Sequence, residues 1–359
     1  SKSEKAIDIA ITPNRPDCLG VRGIARDLSS TGIGKLISLK KNKFKQTSKH
    51  PVKTSIIKDK HQGCLTFGSR YIKNIVNKES PEWLKNKLHS LGLKPISSVV
   101  DITNYVMFDL NRPLHAYDAD KIDREIIVRD SKEGEEFEAL DNKKYKLKKG
   151  MCVITDKSSI LGLGGIIGGI NSSVSEETKN VLLEAAYFEP ISIAATGRKL
   201  KINSDARYRF ERGIDPSFTI PGNIIATKMI LDFCGGSASE PIIAGGDPNP
   251  NKEVLFNPQK VNDLIGISVN FEDQKSILTS LGFIVDDKKE KIIVKVPSWR
   301  PDVHGEADLV EEIARVSSLA NLPSAPLAGS FALAISPVRS ANIFPPSSVK
   351  SSPTSHPPI

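Results

Sequence analysis

The sequence predicts an α+β protein, and three observations carry that reading. Residues 48–246 mix strand-like and helix-like patterns as one mixed α/β unit. Residues 253–323 place an amphipathic helix, a hairpin strand and a second helix in series, as in a small winged-helix-like module. The chain has 359 residues, 39% of them hydrophobic and 26% charged, which suits a globular protein of two or three domains.

The elements follow in order. Residues 1–47 open on AIDIAIT, an alternating strand pattern broken by TPNRPDCL. GVRGIARDLSSTG then reads as a helix closed by Gly32, followed by a basic linker. In 48–246 the strand candidates are CLTFGSRYIKNI, EIIVRD, CVITD and NVLLEAAYF. The helix candidates are PEWLKNKLHSLG, with Pro81 at an allowed first-turn position, and GNIIATKMILDFCGG, closed by Gly235. The loops are long and polar, and GGDPNPNK is the expected linker. In 253–323, FEDQKSILTSLGF is a helix ended by Gly282, KIIVKVP a strand and GEADLVEEIARV a helix. Residues 324–359 hold no Asp or Glu and are dominated by Ser and Pro, a composition expected to be disordered.

Composition narrows the function. No apolar run approaches the ~20 residues of a membrane helix. The start lacks both an initiator Met and an apolar signal core, so a fragment or processed cytoplasmic chain is expected. Cys18, Cys64, Cys152 and Cys234 form no CxxC pair, which argues against zinc and against a disulfide framework. The net charge of +8, densest in KKNKFKQTSKH, allows either a solvated lysine surface or a polyanionic partner.

Five motifs could carry chemistry. GLGGIIGG follows a strand-like run and sits about twenty residues before Glu184, near the dinucleotide fingerprint. Its third glycine is one place late and no helix follows to receive a pyrophosphate, so a tight turn or a backbone pocket wall is the better reading. His115, in NRPLHAYDAD, reads as a structural residue or, with Thr103 and Asn104, as one that orients a water for attack on an ester. Glu184 ends an apolar run, so it needs either a salt-bridge partner or a ligand hydroxyl. Arg207, Arg209, Glu211 and Arg212 either pair with one another or hold anions. Asp308, Glu311 and Glu312 share a helical face with Asp302 in the preceding turn; they are either helix-start acids or oxygen ligands suited to Mg²⁺.

Six segments in series resemble one family: ITPNRPDCLGVRGIARDL, VVDITNYVMFDLNRPLHAYD, GGIIGG, NVLLEAAYF, RYRFERGIDP and VPSWRPDVHGEADLVEEIARV. Over roughly residues 6–325 the chain resembles the beta subunit of bacterial phenylalanyl-tRNA synthetases. The resemblance implies a middle slice: 1–47 as the end of the first module, 48–246 as an editing domain of third and fourth modules, and 253–323 as the fifth module. It implies hydrolysis of mischarged Tyr-tRNA(Phe) within a two-alpha, two-beta tetramer that charges tRNA(Phe) with ATP at the alpha subunit. On this reading Glu184 and Gly168 surround the tyrosine hydroxyl and Ser204 and Ala206 line the pocket. His115, Asn104 and Thr103 lie toward the water or ester end. Asp302, Asp308, Glu311 and Glu312 match a Mg²⁺ site shared with the alpha subunit. The alternative is a non-catalytic tRNA-binding or subunit-docking fragment. Ser204 stands where Thr is usual, and Arg207 replaces a small polar residue beside the pocket, with an expected effect on tRNA-end binding.

Overall fold

The structure, a computed structural model, describes residues 6–40, 42–57, 63–246, 251–288 and 291–318; the Ser/Pro-rich tail lies outside them. The fold is mixed α+β, built on two five-stranded sheets. The first runs in the order Gln46–Ser48, Ser237–Gly245, Cys64–Lys73, Val181–Phe188, His115–Asp118. The second runs Ile167–Gly168, Ile160–Leu163, Cys152–Thr155, Glu125–Asp130, Lys53–Ile56.

Val181–Phe188 shows why the sheets stack. Side chains alternate across a strand, so a strand covered on both faces must be apolar throughout. Leu182, Ala186 and Phe188 join a core shared with the second sheet, including Ile126, Val153 and Leu161. Val181 and Leu183 join another core shared with the helices Ser98–Leu110 and Thr219–Cys234, through Val99, Ile102, Ala226 and Ile230. Glu184 has the parity of the first set, so the pleat aims it into the core between the two sheets.

Residues 253–318 form a third unit with its own core. A three-stranded antiparallel sheet, ordered Glu253–Phe256, Ile292–Lys295, Ile284–Asp286, packs with the helices Gln259–Ile265, Phe271–Ser280 and Glu306–Ser318.

Several expectations need correction. Residues 6–12 form no strand, and Ile7 is 84% exposed: an alternating pattern makes a strand only where an edge is free to pair with it. Pro81 is the cap residue of Glu82–Ser90, with an extended backbone, and not its first helical residue. His115 begins a strand instead of standing in a loop. VVDITNYV, to which the sequence pattern assigns no element, lies wholly inside the helix Ser98–Leu110.

Candidate functional site

The glycine segment is a hairpin. Ile160–Leu163 pairs antiparallel with Ile167–Gly168, and Gly165 at the turn has φ +67°. No helix follows it directly, so it offers no helix N-terminus to a phosphate and forms a backbone wall instead. The hairpin closes a cavity of about 60 Å³ whose wall includes His115, Tyr117, Gly168, Glu184, Ala206 and Phe210. A Cβ on Gly168 would lie 2.3 Å from His115 Cε1 and 2.6 Å from its Nε2. Glycine is therefore what allows the imidazole to stand against this wall.

Strand register brings the polar groups together. Glu184 is directly opposite His115, and Leu182 is opposite Tyr117. His115 and Tyr117 are two apart and share a face; their rings meet edge to face at 4.5 Å. The Tyr117 hydroxyl donates to Glu184 Oε2 at 2.5 Å, while among the described residues no side-chain hydrogen bond is made to Oε1. His115 Nε2 is buried and has no hydrogen-bond partner among the described residues.

Burial sets the charge states. It disfavours the ionised form of Glu184 and pushes its carboxyl up to about 7, against the opposing pull of the Tyr117 hydrogen bond. It pushes His115 down to about 4, so the imidazole is neutral at neutral pH. A neutral imidazole with an unpartnered ring nitrogen can position a water or a hydroxyl. A carboxyl with an uncommitted oxygen can accept one further hydrogen bond.

The remaining predicted residues divide. Ala206 lines the cavity. Ser204 does not line it but supports it: its hydroxyl donates to Ile166 O at 2.6 Å and caps the helix Asp205–Phe210 by accepting from Arg207 N at 3.1 Å. Thr103 and Asn104 lie on Ser98–Leu110 outside the cavity wall, and the Thr103 hydroxyl is spent on Val100 O at 2.7 Å. Arg207 points inward, bonded to Glu211 Oε2 at 3.0 Å and to Asn203 Oδ1 at 2.9 Å, and a Cβ on Gly197 would strike it. An effect of Arg207 on an incoming RNA end has no support in this geometry. Arg209 pairs with Asp205 and Arg212 with Glu211, so these arginines balance acids of their own segment.

The acidic set does not converge. Asp302 receives two bonds from Arg300, at 2.9 and 2.7 Å. Glu312 is held by Arg300 at 2.9 Å and Arg315 at 2.8 Å, with Arg15 at 3.8 Å. Asp308 accepts from the His304 and Gly305 N–H groups, and Glu311 is exposed. Among the described residues no group of three His, Cys, Asp or Glu could hold a metal ion, so these four do not fit a Mg²⁺ centre made by this chain alone.

Tyr117 is a site residue that the sequence motifs do not single out. Its position two residues after His115 on a strand, and thus on the same face, is the available signal.

Two family matches cover these units: the B3/4 domain over residues 63–235 and the tRNA synthetase B5 domain over residues 254–318. The chain is 49% identical over 326 residues to the phenylalanine–tRNA ligase beta subunit of Cereibacter sphaeroides, covering 90% of this chain and 40% of that protein. It is 48% identical over 327 residues to the same subunit of Ruegeria pomeroyi (91% and 40% covered), and 46% over 323 residues to that of Paramagnetospirillum magneticum (89% and 40%). The chain thus spans about 40% of the length of these relatives.

Proposed function

We propose an editing hydrolysis for a chain that belongs to the phenylalanine–tRNA ligase beta-subunit family. The reaction is cleavage of the ester in Tyr-tRNA(Phe). The carrying observation is Glu184: a carboxyl in an apolar wall, 5% exposed, with one oxygen on Tyr117 and the other without a side-chain hydrogen bond among the described residues.

The chemistry explains the need for a second site. A hydrophobic pocket shaped for Phe rejects its hydroxylated analogue only weakly, by ~10²-fold for comparable pairs, which is why aminoacyl-tRNA synthetases in general resort to double-sieve correction. A site that demands the hydroxyl sorts the other way. The tyrosine hydroxyl donates to Glu184 Oε1, whereas Phe leaves a buried carboxylate oxygen unpaired at a cost of about 1–3 kcal/mol. That is about five- to 150-fold in discrimination.

His115 Nε2 holds the attacking water. The water oxygen bonds to the ester carbonyl carbon, the bond from that carbon to the ribose oxygen breaks, and the ribose oxygen takes the proton. Gly168 gives the ring its place, Ser204 ties the hairpin to Asp205–Phe210, and Ala206 keeps the wall narrow. Asn104 and Thr103 lie on Ser98–Leu110 outside the cavity and take no step in this proposal. The cavity of about 60 Å³ is smaller than the ~150 Å³ that accepts a benzene ring, so the wall must widen to admit a phenol.

The rest of the reading belongs to the assembled enzyme: an alpha subunit, tRNA(Phe) and a second beta subunit as partners, ATP at the alpha subunit, and the cytoplasm as location. No helix of the described residues is long and apolar enough to cross a membrane. The deciding measurement is deacylation of Tyr-tRNA(Phe) and Phe-tRNA(Phe) by this chain, with and without an alpha subunit. Faster loss of Tyr is expected. Absence of hydrolysis in both preparations would end the proposal.

A further inference from the structure

A second cavity, of about 310 Å³, lies away from Glu184, where the helix Val21–Ser30, the end of Ser98–Leu110 and the loop carrying Trp299 meet. The editing proposal does not use it. Its polar wall includes Arg22, Arg26, Asn111 and Trp299, and its volume is at the lower end of small-molecule sites, ~300–1,000 Å³.

Three residues of this wall each carry a buried polar atom that lacks a partner among the described residues. Asn111 is 9% exposed and held left-handed at φ 53°; its Nδ2 donates to Pro16 O at 2.8 Å, while Oδ1 has no partner. The Trp299 indole N–H has none. Arg26 stacks on the Trp299 ring at 4.2 Å, and its Nη1 makes no hydrogen bond. The nearest carboxylate to that nitrogen is Asp17, 3.6 Å away and already doubly bonded by Arg15 at 2.9 and 3.1 Å. Asp215 is the second carboxylate of the wall; its Oδ1 accepts from Ser217 N. Two donors and one acceptor on residues of one wall thus have no protein partner among the described residues, and a bound group that pairs them offsets that cost.

We propose that this cavity binds a hydroxylated phosphate monoester. Phosphate oxygens accept from Arg26 Nη1, the Trp299 N–H and the Arg22 guanidinium, and a sugar hydroxyl donates to Asn111 Oδ1. Planar guanidinium groups suit phosphate, and the Trp299 N–H adds a directional donor. A free sugar phosphate and the ribose–phosphate unit of a nucleotide share this chemistry.

Calorimetric titration of the full chain with ribose 5-phosphate, adenosine 5′-monophosphate and inorganic phosphate tests the proposal. Saturable binding of the first two is expected. Equal affinities identify the ribose–phosphate unit as sufficient, and a preference for the monophosphate identifies a nucleotide. Trp299→Phe keeps the ring and deletes the N–H, and Arg22→Gln deletes one charge; each weakens binding about tenfold. Both variants are checked by thermal melting. Glu184→Ala leaves the affinity unchanged, which separates this site from the editing pocket. No saturable binding of any probe up to about 1 mM, the weak end of the affinity scale, overturns the proposal. So does an affinity indifferent to both substitutions, or one no better for the sugar phosphate than for inorganic phosphate.

Discussion

Glu184 and Glu312 are both almost fully buried, at 5% and 2% exposure, yet they are opposite kinds of carboxylate. Glu184 sits between two sheets with a tyrosine hydroxyl for company, and burial lifts it to about 7. For Glu312, burial pulls the same way, but hydrogen bonds from Arg300 and Arg315 outweigh it and hold the group at about 2. Neighbours, not depth, decide whether a buried acid keeps its proton. One region leaves an oxygen for a ligand. The other spends its oxygens on cohesion, joining the last helix to Asp27 of the first through Arg315 at 2.7 and 2.9 Å.

Removing Glu312 should have the largest effect on stability. Glu312→Gln leaves Arg300, 3% exposed at its side chain, without one of its two carboxylates, and a loss of about 3–5 kcal/mol is expected in denaturant unfolding. A loss below about 1 kcal/mol would place this pair with surface ion pairs and undo the contrast. Next comes Gly168→Ala. The new methyl group meets the His115 ring, so either ring or hairpin must shift; about 1–3 kcal/mol of destabilisation and slower Tyr-tRNA(Phe) deacylation are expected. Unchanged values of both would remove Gly168 from the site.

Glu184→Ala should cost selectivity more than stability. The ratio of Tyr to Phe deacylation falls toward one, a change of about 1–3 kcal/mol read directly from paired rates. A ratio that survives the substitution contradicts the hydroxyl-acceptor role.

The pH response is the most diagnostic test, because the two acids respond to pH in opposite directions. Glu184 has its folded value raised, from 4.5 to about 7. It favours folding fully below 4.5, and that contribution is lost as pH rises through about 7. Glu312 has its folded value lowered, from 4.5 to about 2. Its contribution is present above 4.5 and is lost as pH falls through about 2. Unfolding of Glu184→Gln should therefore differ from the parent chain by the decline that Glu184 contributes between 4.5 and about 7, against an opposing rise from the lowered His115 that both proteins share, while retaining the acid limb. Coincident profiles for the variant and the parent chain would refute the assignment.

How legible each feature is in the sequence depends on the range over which it is determined. Val181–Phe188 is readable because a strand covered on both faces is written as a continuous apolar run, and a lone Glu within it stands out. The Ser98–Leu110 helix is not, because its β-branched start suits strand and helix alike and packing against Thr219–Cys234 decides between them. The fate of Glu312 is also unreadable. Spacing places it on a helix, but the guanidinium groups of Arg15 and Arg300 reach it from outside that helix. In the same way, Tyr117 becomes a partner of Glu184 only once strand register is known.

The bonds that cross from residues 15–27 also bear on how the molecule can be subdivided. Arg209 donates to Leu19 O at 3.2 Å, Asn111 to Pro16 O at 2.8 Å, and Arg315 clasps Asp27. Arg209 lies on the short helix capped by Ser204, the residue that anchors the glycine hairpin. Trimming the chain to begin near residue 48 would thus uncover an arginine and an asparagine that now end on backbone carbonyls, one of them only five residues from the anchor of the pocket wall. For anyone dissecting this protein, the opening segment is a bracket that belongs with the two-sheet unit it braces.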